Sequence, residues 1–188
     1  TIECNPNSIS KDKLLLYKDL GINRISLGVQ SFDDKVLKAI GRNHTADIAI
    51  KDIELIRSVG FDNLSFDLML NLPHQDYKSV KNDLEIVKRI SPEHISWYSL
   101  ILEEGSRFYA LDKKGKLDLM DDDKEIDIFN DLVDELGKIG LHRYEVSNFA
   151  KNGYQSYHNK KYWEGVFNSY YATVGGARTY KLGVTFDF

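Results

Sequence analysis

"GINRISLGVQ", residues 21 to 30, carries the pattern on which the fold turns: a glycine, a short polar step, then a β-branched apolar run ending on a polar residue. The layout recurs in "GFDNLSFDLM" from Gly60, "SPEHISWYSL" from Ser91 and "GLHRYEVSNF" from Gly140. Each follows an amphipathic run. Residues 11–20 place Leu14, Leu15 and Leu20 on one stripe before Gly21. Thr45 can cap a helix that turns Ile48, Ile53, Ile56 and Val59 inward, and Asp76 can cap one carrying Val80, Leu84 and Val87 up to Pro92. Asp121 to Asp123 can open a helix burying Ile126, Phe129, Leu132, Val133, Leu136 and Ile139, and Asp33 to Ile40 reads as a shorter turn. Strands separated by such helices favour parallel pairing, so the class is α/β. Both a doubly wound sheet and a TIM-like barrel satisfy the pattern.

Composition narrows the function. The 188 residues are 42% hydrophobic, enough for a sizeable core, and 25 Lys and Arg against 29 Asp and Glu give a net charge of −4. Without a long basic run, nucleic acid is not an expected partner. One cysteine, Cys4, excludes an internal disulfide framework, and no apolar run reaches the roughly 18 residues that span a bilayer, so a reducing cytoplasmic setting is expected. The opening "TIECNP" reads as a strand entering a turn, and further residues of the same fold are expected ahead of Thr1.

In parallel α/β folds ligands gather at the C-terminal ends of strands. Glu3, Gln30 and Asp67 stand toward such ends, and Arg42, on the "GRNHT" loop, can hold a carboxylate with two parallel hydrogen bonds. Each also has an ordinary reading, as a loop tie or a solvated helix-end charge. His74 in "NLPHQD" reads as an exposed loop histidine. No H-E-x-x-H, C-x-x-C, GxSxG or phosphate loop occurs, and the glycines of "VGGART" are weak evidence for phosphate binding. In "HNKKYW", residues 158–163, His158 could ligate iron beside the flat rings of Tyr157, Tyr162 and Trp163. The competing reading is a helix start capped by Asn159 with its aromatics packed.

Taken together, "TIECNP", "INRISLGVQSFDDKVLKAIGRNHT", "GFDNLSFDLMLNLPHQ", "PEHISWYSL", "YEVSNFAKNG" and "HNKKYW" resemble, in order and spacing, the motifs of the HemN/HemW group of radical S-adenosylmethionine proteins. The resemblance covers nearly the whole chain and weakens after about residue 165. It implies a partial (β/α)6 TIM-like barrel from about the third strand over residues 1–120, with a C-terminal α+β extension over 121–188. By the same resemblance Glu3 contacts S-adenosylmethionine, and Gln30, Arg42, Asp67 and the backbone around Ile101 correspond to positions lining a second one. A zwitterion suits the set, with Glu3 and Asp67 for its ammonium and Arg42 for its carboxylate.

The group's three-cysteine motif, which ligates a 4Fe-4S cluster, is absent from this chain, and Cys4 alone cannot replace it, so the chain itself is expected to lack radical activity. "SNFA", residues 147–150, and "HNKKYW" resemble the haem-chaperone branch, in which the histidine of HNxxYW is implicated in haem binding. His158 takes that role by resemblance, with haem as ligand and a haem-accepting apoprotein as partner. In "GGARTY", Arg178 stands where that branch more often has histidine. The alternative is a coproporphyrinogen III dehydrogenase acting on a porphyrinogen. A further alternative is an unrelated barrel enzyme with Glu3 and Asp67 as acid and base. The strand edge at TIECNP is expected to promote self-association.

Overall fold

The computed structural model describes residues 1–159. In chain order it contains β1 (Ile2–Cys4), α1 (Lys11–Asp19), β2 (Arg24–Gln30), α2 (Asp34–Ala39), α3 (Ala46–Ser58), β3 (Asn63–Leu70), α4 (Tyr77–Ile90), β4 (His94–Ser99), α5 (Arg107–Asp112), α6 (Asp122–Lys138), β5 (His142–Arg143) and β6 (Asn148–Ala150). The expected caps are in place. The Thr45 hydroxyl accepts from the Ile48 amide, Asp76 from Ser79 and Asp121 from Lys124, each satisfying an amide that the first helical turn leaves unpaired. Gly21 and Gly60 follow their helices at φ +78° and +88°, a backbone region that glycine enters without strain.

The sheet order is β1-β2-β3-β4-β6-β5, with β1 through β4 parallel and in sequence. This order chooses between the two architectures. A doubly wound sheet reverses its strand order and covers both faces with helices; here the order never reverses among the parallel strands. One face packs against helices throughout. Ile25, Leu27, Leu64, Phe66, Leu68, Ile95, Trp97 and Phe149 form a single buried cluster with Leu14 of α1, Ile53 and Ile56 of α3, Val80 and Val87 of α4, and Leu132 and Leu136 of α6. Alternation sends the intervening residues to the other face, which is polar: Ser26, Ser65, Asp67, His94, Ser96 and Asn148. Parallel strands in order, helices outside and a polar concave side make the arc of a TIM-like barrel.

Three readings of the sequence change. On α1 only Leu14 is buried, while Leu15 and Leu20 are 45% and 69% exposed. The helix is short, and its contact with the sheet is one residue wide, with Tyr17 packed beside it. On α6, Ile126 is exposed and Ile128 takes its place inside. Asn71 bonds Glu125, which is buried, and this fixes the rotation that brings 125, 128, 132 and 136 toward the sheet. The fourth repeat, from Gly140, is no parallel strand. It folds as the β5–β6 hairpin, and β6 pairs antiparallel with β4 through Ile95 and Phe149.

Candidate functional site

The polar face of the sheet is built by register. Glu3 stands beside Ser26, Ser26 beside Ser65 and Ser65 beside His94; one step along, Gly28 lies beside Asp67 and Asp67 beside Ser96. A register shift between Gly28 and Gln30 ends β2, and Gln30 adopts φ +69°, turning its amide back over the face. The turn is pinned from below. Asp83 of α4, fully buried, accepts from the Phe32 amide at 2.7 Å and from the Ser31 hydroxyl at 2.9 Å.

Glu3, Gln30, Arg42 and Asp67 are thereby brought to one place. Asp67 is the fifth residue of β3 rather than a residue of its rim, so burial pushes its carboxyl up to about 6, with the Glu3 carboxylate adding to the shift. The charge of Arg24 and a hydrogen bond from Ser26 pull the other way. Arg42 reaches in from the loop after α2, donating to Asn5 Oδ1 at 3.2 Å and sensing the charge of Asp67. Ile101 is half-buried in the segment that follows β4. His74 stands apart from this group, 48% exposed and 3.4 Å from Asp118.

Sequence reasoning missed Asn5, Gly28 and Tyr98. Tyr98 bonds Gln30 and feels both Asp67 and Arg42, while burial raises its hydroxyl pKa. Gly28 keeps space open: a Cβ there would lie 3.1 Å from Gln30 Nε2 and 3.3 Å from Asn5 Oδ1. The signal was a glycine inside an apolar strand, which often marks close approach by a ligand or another backbone. Gln30 is 2% exposed, and its Oε1 has no hydrogen-bond partner among the described residues. A buried acceptor without a donor costs about 1–3 kcal/mol, and this oxygen is able to accept from a ligand's donor.

These observations fit S-adenosylmethionine. Glu3 and Asp67 offer carboxylates to an ammonium, Arg42 offers a guanidinium to a carboxylate, and the cradle at Gly28 admits a ligand that the Gln30 oxygen can orient. A 4Fe-4S cluster does not fit the residues present. Cys4 is the sole cysteine, and it packs on the helix side of the sheet, away from the polar face.

His158 opens the HNKKYW motif and is exposed, with its neighbour Asn159 donating to Asn148 Oδ1 at 3.1 Å. Tyr162, Trp163 and the VGGART segment lie outside the described residues. No described helix is long and apolar enough to cross a membrane.

The model of the Radical SAM superfamily matches residues 1–87. The heme chaperone HemW of Bacillus subtilis is 38% identical over 187 residues, covering 97% of this chain and 49% of that protein. The Escherichia coli heme chaperone HemW is 37% identical over 177 residues, covering 94% and 45%. Among solved structures, E. coli coproporphyrinogen III oxidase (HemN), a radical SAM enzyme, aligns with a TM-score of 0.69 at 24% identity, over 81% of this chain and 35% of that one. The archaeal Elp3 of Methanocaldococcus infernus aligns with a TM-score of 0.63, also at 24% identity, over 70% and 32%. The two structures speak for the fold. The chain spans about half the length of the curated relatives it matches. With a domain model matching residues 1–87, relatives of this identity along almost its whole length, and a partial barrel, the chain belongs to the radical SAM superfamily.

Proposed function

We propose that the protein to which this chain belongs binds S-adenosylmethionine on the polar sheet face and binds haem through His158, as a haem carrier. Glu3, Asp67 and Arg42 fix the two ends of the amino-acid moiety, and Gln30 accepts a hydrogen bond from the ligand over Gly28. The cofactor would supply radical chemistry only with a cluster whose thiolates this chain does not contain, so binding is the activity assigned to the chain itself. His158 presents a neutral imidazole to haem iron.

The observation that carries the haem half is the anchoring of the motif. His158 is exposed while the residue after it is tied to Asn148, on the same sheet face as Asp67, and the similarity to heme chaperones HemW spans this stretch. Haemin titration, followed at the Soret band, tests it. His158→Ala is expected to weaken binding about a hundredfold, the loss of one iron ligand worth about 3 kcal/mol. Equal affinity in wild type and variant would remove the role assigned to His158. The coproporphyrinogen dehydrogenase alternative rests on a fold likeness at 24% identity. Conversion of coproporphyrinogen III by cluster-loaded full-length protein would favour it.

The edge of β1 is unpaired among the described strands, and we propose weak self-association there. Sedimentation velocity across a range of concentrations is expected to show growth in size; one unchanging species would contradict it.

A further inference from the structure

The exposed imidazole of His158 lies on a segment beyond the last described strand, and something must set its direction. Two side chains grip that segment on either side of His158. Two residues before it, the Ser156 amide donates to Tyr144 Oη at 3.1 Å. One residue after it, Asn159 Nδ2 donates to Asn148 Oδ1 at 3.1 Å, and the same side chain bonds Tyr144. Tyr144 lies in the turn between β5 and β6 and Asn148 begins β6, so both grips come from one hairpin.

The grips are themselves held from the barrel face. Asn148 Oδ1 accepts from Ser96 Oγ at 3.0 Å, and Ser96 stands beside Asp67 in the sheet. Tyr144 Oη is 2.7 Å from His94 Nε2, and His94 Nδ1 is 2.9 Å from Ser65 Oγ. Proton arithmetic orders this chain. His94 is fully buried, and burial with the nearby Arg24 charge pushes its pKa down to about 3, so the ring is neutral and carries one N–H. Tyr144 Oη already accepts from Ser156 and Asn159, which leaves its own proton for His94 Nε2. His94 therefore carries its hydrogen on Nδ1 and donates to Ser65. The Tyr144 hydroxyl and the His94 Nδ1–H each have one acceptor, and the tyrosine oxygen is held as an acceptor facing residues 156–159.

We infer that Tyr144 and Asn148, backed by His94 and Ser96, are positioning residues that aim His158 by clamping the chain at Ser156 and Asn159. The inference rests on the haem reading and adds to it the residues on which the histidine's placement depends. It also gives the Asn of the motif a task separate from helix capping.

Haemin titration of the full chain at the Soret band provides the test, with circular dichroism as the check on folding. Tyr144→Phe keeps the ring and removes the oxygen; Asn159→Ala removes the other grip. Each is expected to weaken haemin binding about tenfold, less than His158→Ala. Free imidazole is expected to restore the histidine-ligated spectrum to His158→Ala and to both clamp variants, because in each only the iron ligand is missing or misplaced. If Tyr144→Phe disturbs the hairpin, Asn159→Ala decides, since its side chain bonds Tyr144 and Asn148 rather than the buried His94. Wild-type affinity in both clamp variants, beside a loss in His158→Ala, overturns the inference and leaves the haem reading standing. Equal affinity in wild type and His158→Ala overturns both.

Discussion

Gly28→Val is expected to lower affinity for S-adenosylmethionine about a hundredfold while leaving the fold intact. The glycine does not occupy a left-handed backbone position, so the residue is there for space rather than conformation. Its first added carbon would come within 3.1 Å of the Gln30 amide and 3.3 Å of the Asn5 side chain, both movable ends. The two γ-methyls of valine would then fill the cradle. Overpacking of this kind costs about 1–3 kcal/mol, and here the cost falls on ligand entry because side-chain termini yield before backbone does. Equilibrium dialysis with labelled S-adenosylmethionine measures it, with Gly28→Ala expected to fall between wild type and valine. Undiminished binding by the valine variant would place the ligand elsewhere.

At pH 5, Asp83→Ala is expected to reduce the unfolding free energy by about 3 kcal/mol, because it leaves the buried Phe32 amide without an acceptor and opens a small cavity. Asp83→Asn behaves differently with pH, and the sign follows from the shift. Burial raises the Asp83 carboxyl from 3.8 to about 7, against the hydrogen bonds from Phe32 and Ser31 that favour its charged form. The raised folded-state value means that its stabilising contribution is complete below about pH 4 and is lost as pH rises toward 7. An asparagine cannot ionise. The variant is therefore expected to gain on wild type progressively between pH 4 and 7, then to run parallel above it. Chemical denaturation across that range reads the difference, and a difference independent of pH would show that Asp83 stays charged when folded. The same turn carries Gln30, so Asp83→Ala should also weaken S-adenosylmethionine binding.

Much of the fold was legible because local chemistry and tertiary packing agree. Thr45, Asp76 and Asp121 cap the helices their side chains predict, and the glycine-terminated helices feed strands whose alternate residues are apolar. The barrel itself was not legible from periodicity. It depends on strand order and on every large helix lying on one face, neither of which a local pattern records. The hairpin after Gly140 escaped for a related reason: β5 has two residues and β6 three, too few to establish alternation. The phase of α6 turned on Glu125, a charged residue drawn inside by Asn71, where a reading by hydropathy places charge outside.

The site divides in the same way. Glu3, Gln30 and Arg42 could be singled out as polar residues at strand ends and a loop, and Asp67 as a polar residue in an apolar strand, and the structure gathers them. Gly28 left a signal, a glycine inside an apolar strand, but Asn5 and Tyr98 left none, since their membership depends on the Gly28–Gln30 register shift and on the sheet that sets Tyr98 beside Gln30. His94 was hidden for another reason. A histidine inside an apolar strand gives no sign of its partners, and Tyr144 lies fifty positions away.

The claim that the polar face is the S-adenosylmethionine site is tested most directly by amide chemical-shift mapping of the 21.6 kDa chain during titration with the cofactor. Saturable shifts are predicted at Glu3, Asn5, Gly28, Gln30, Arg42 and Asp67, with α1 and the outer surfaces of α4 and α6 unmoved. Shifts confined to those helices, or none at saturating cofactor, would contradict the account.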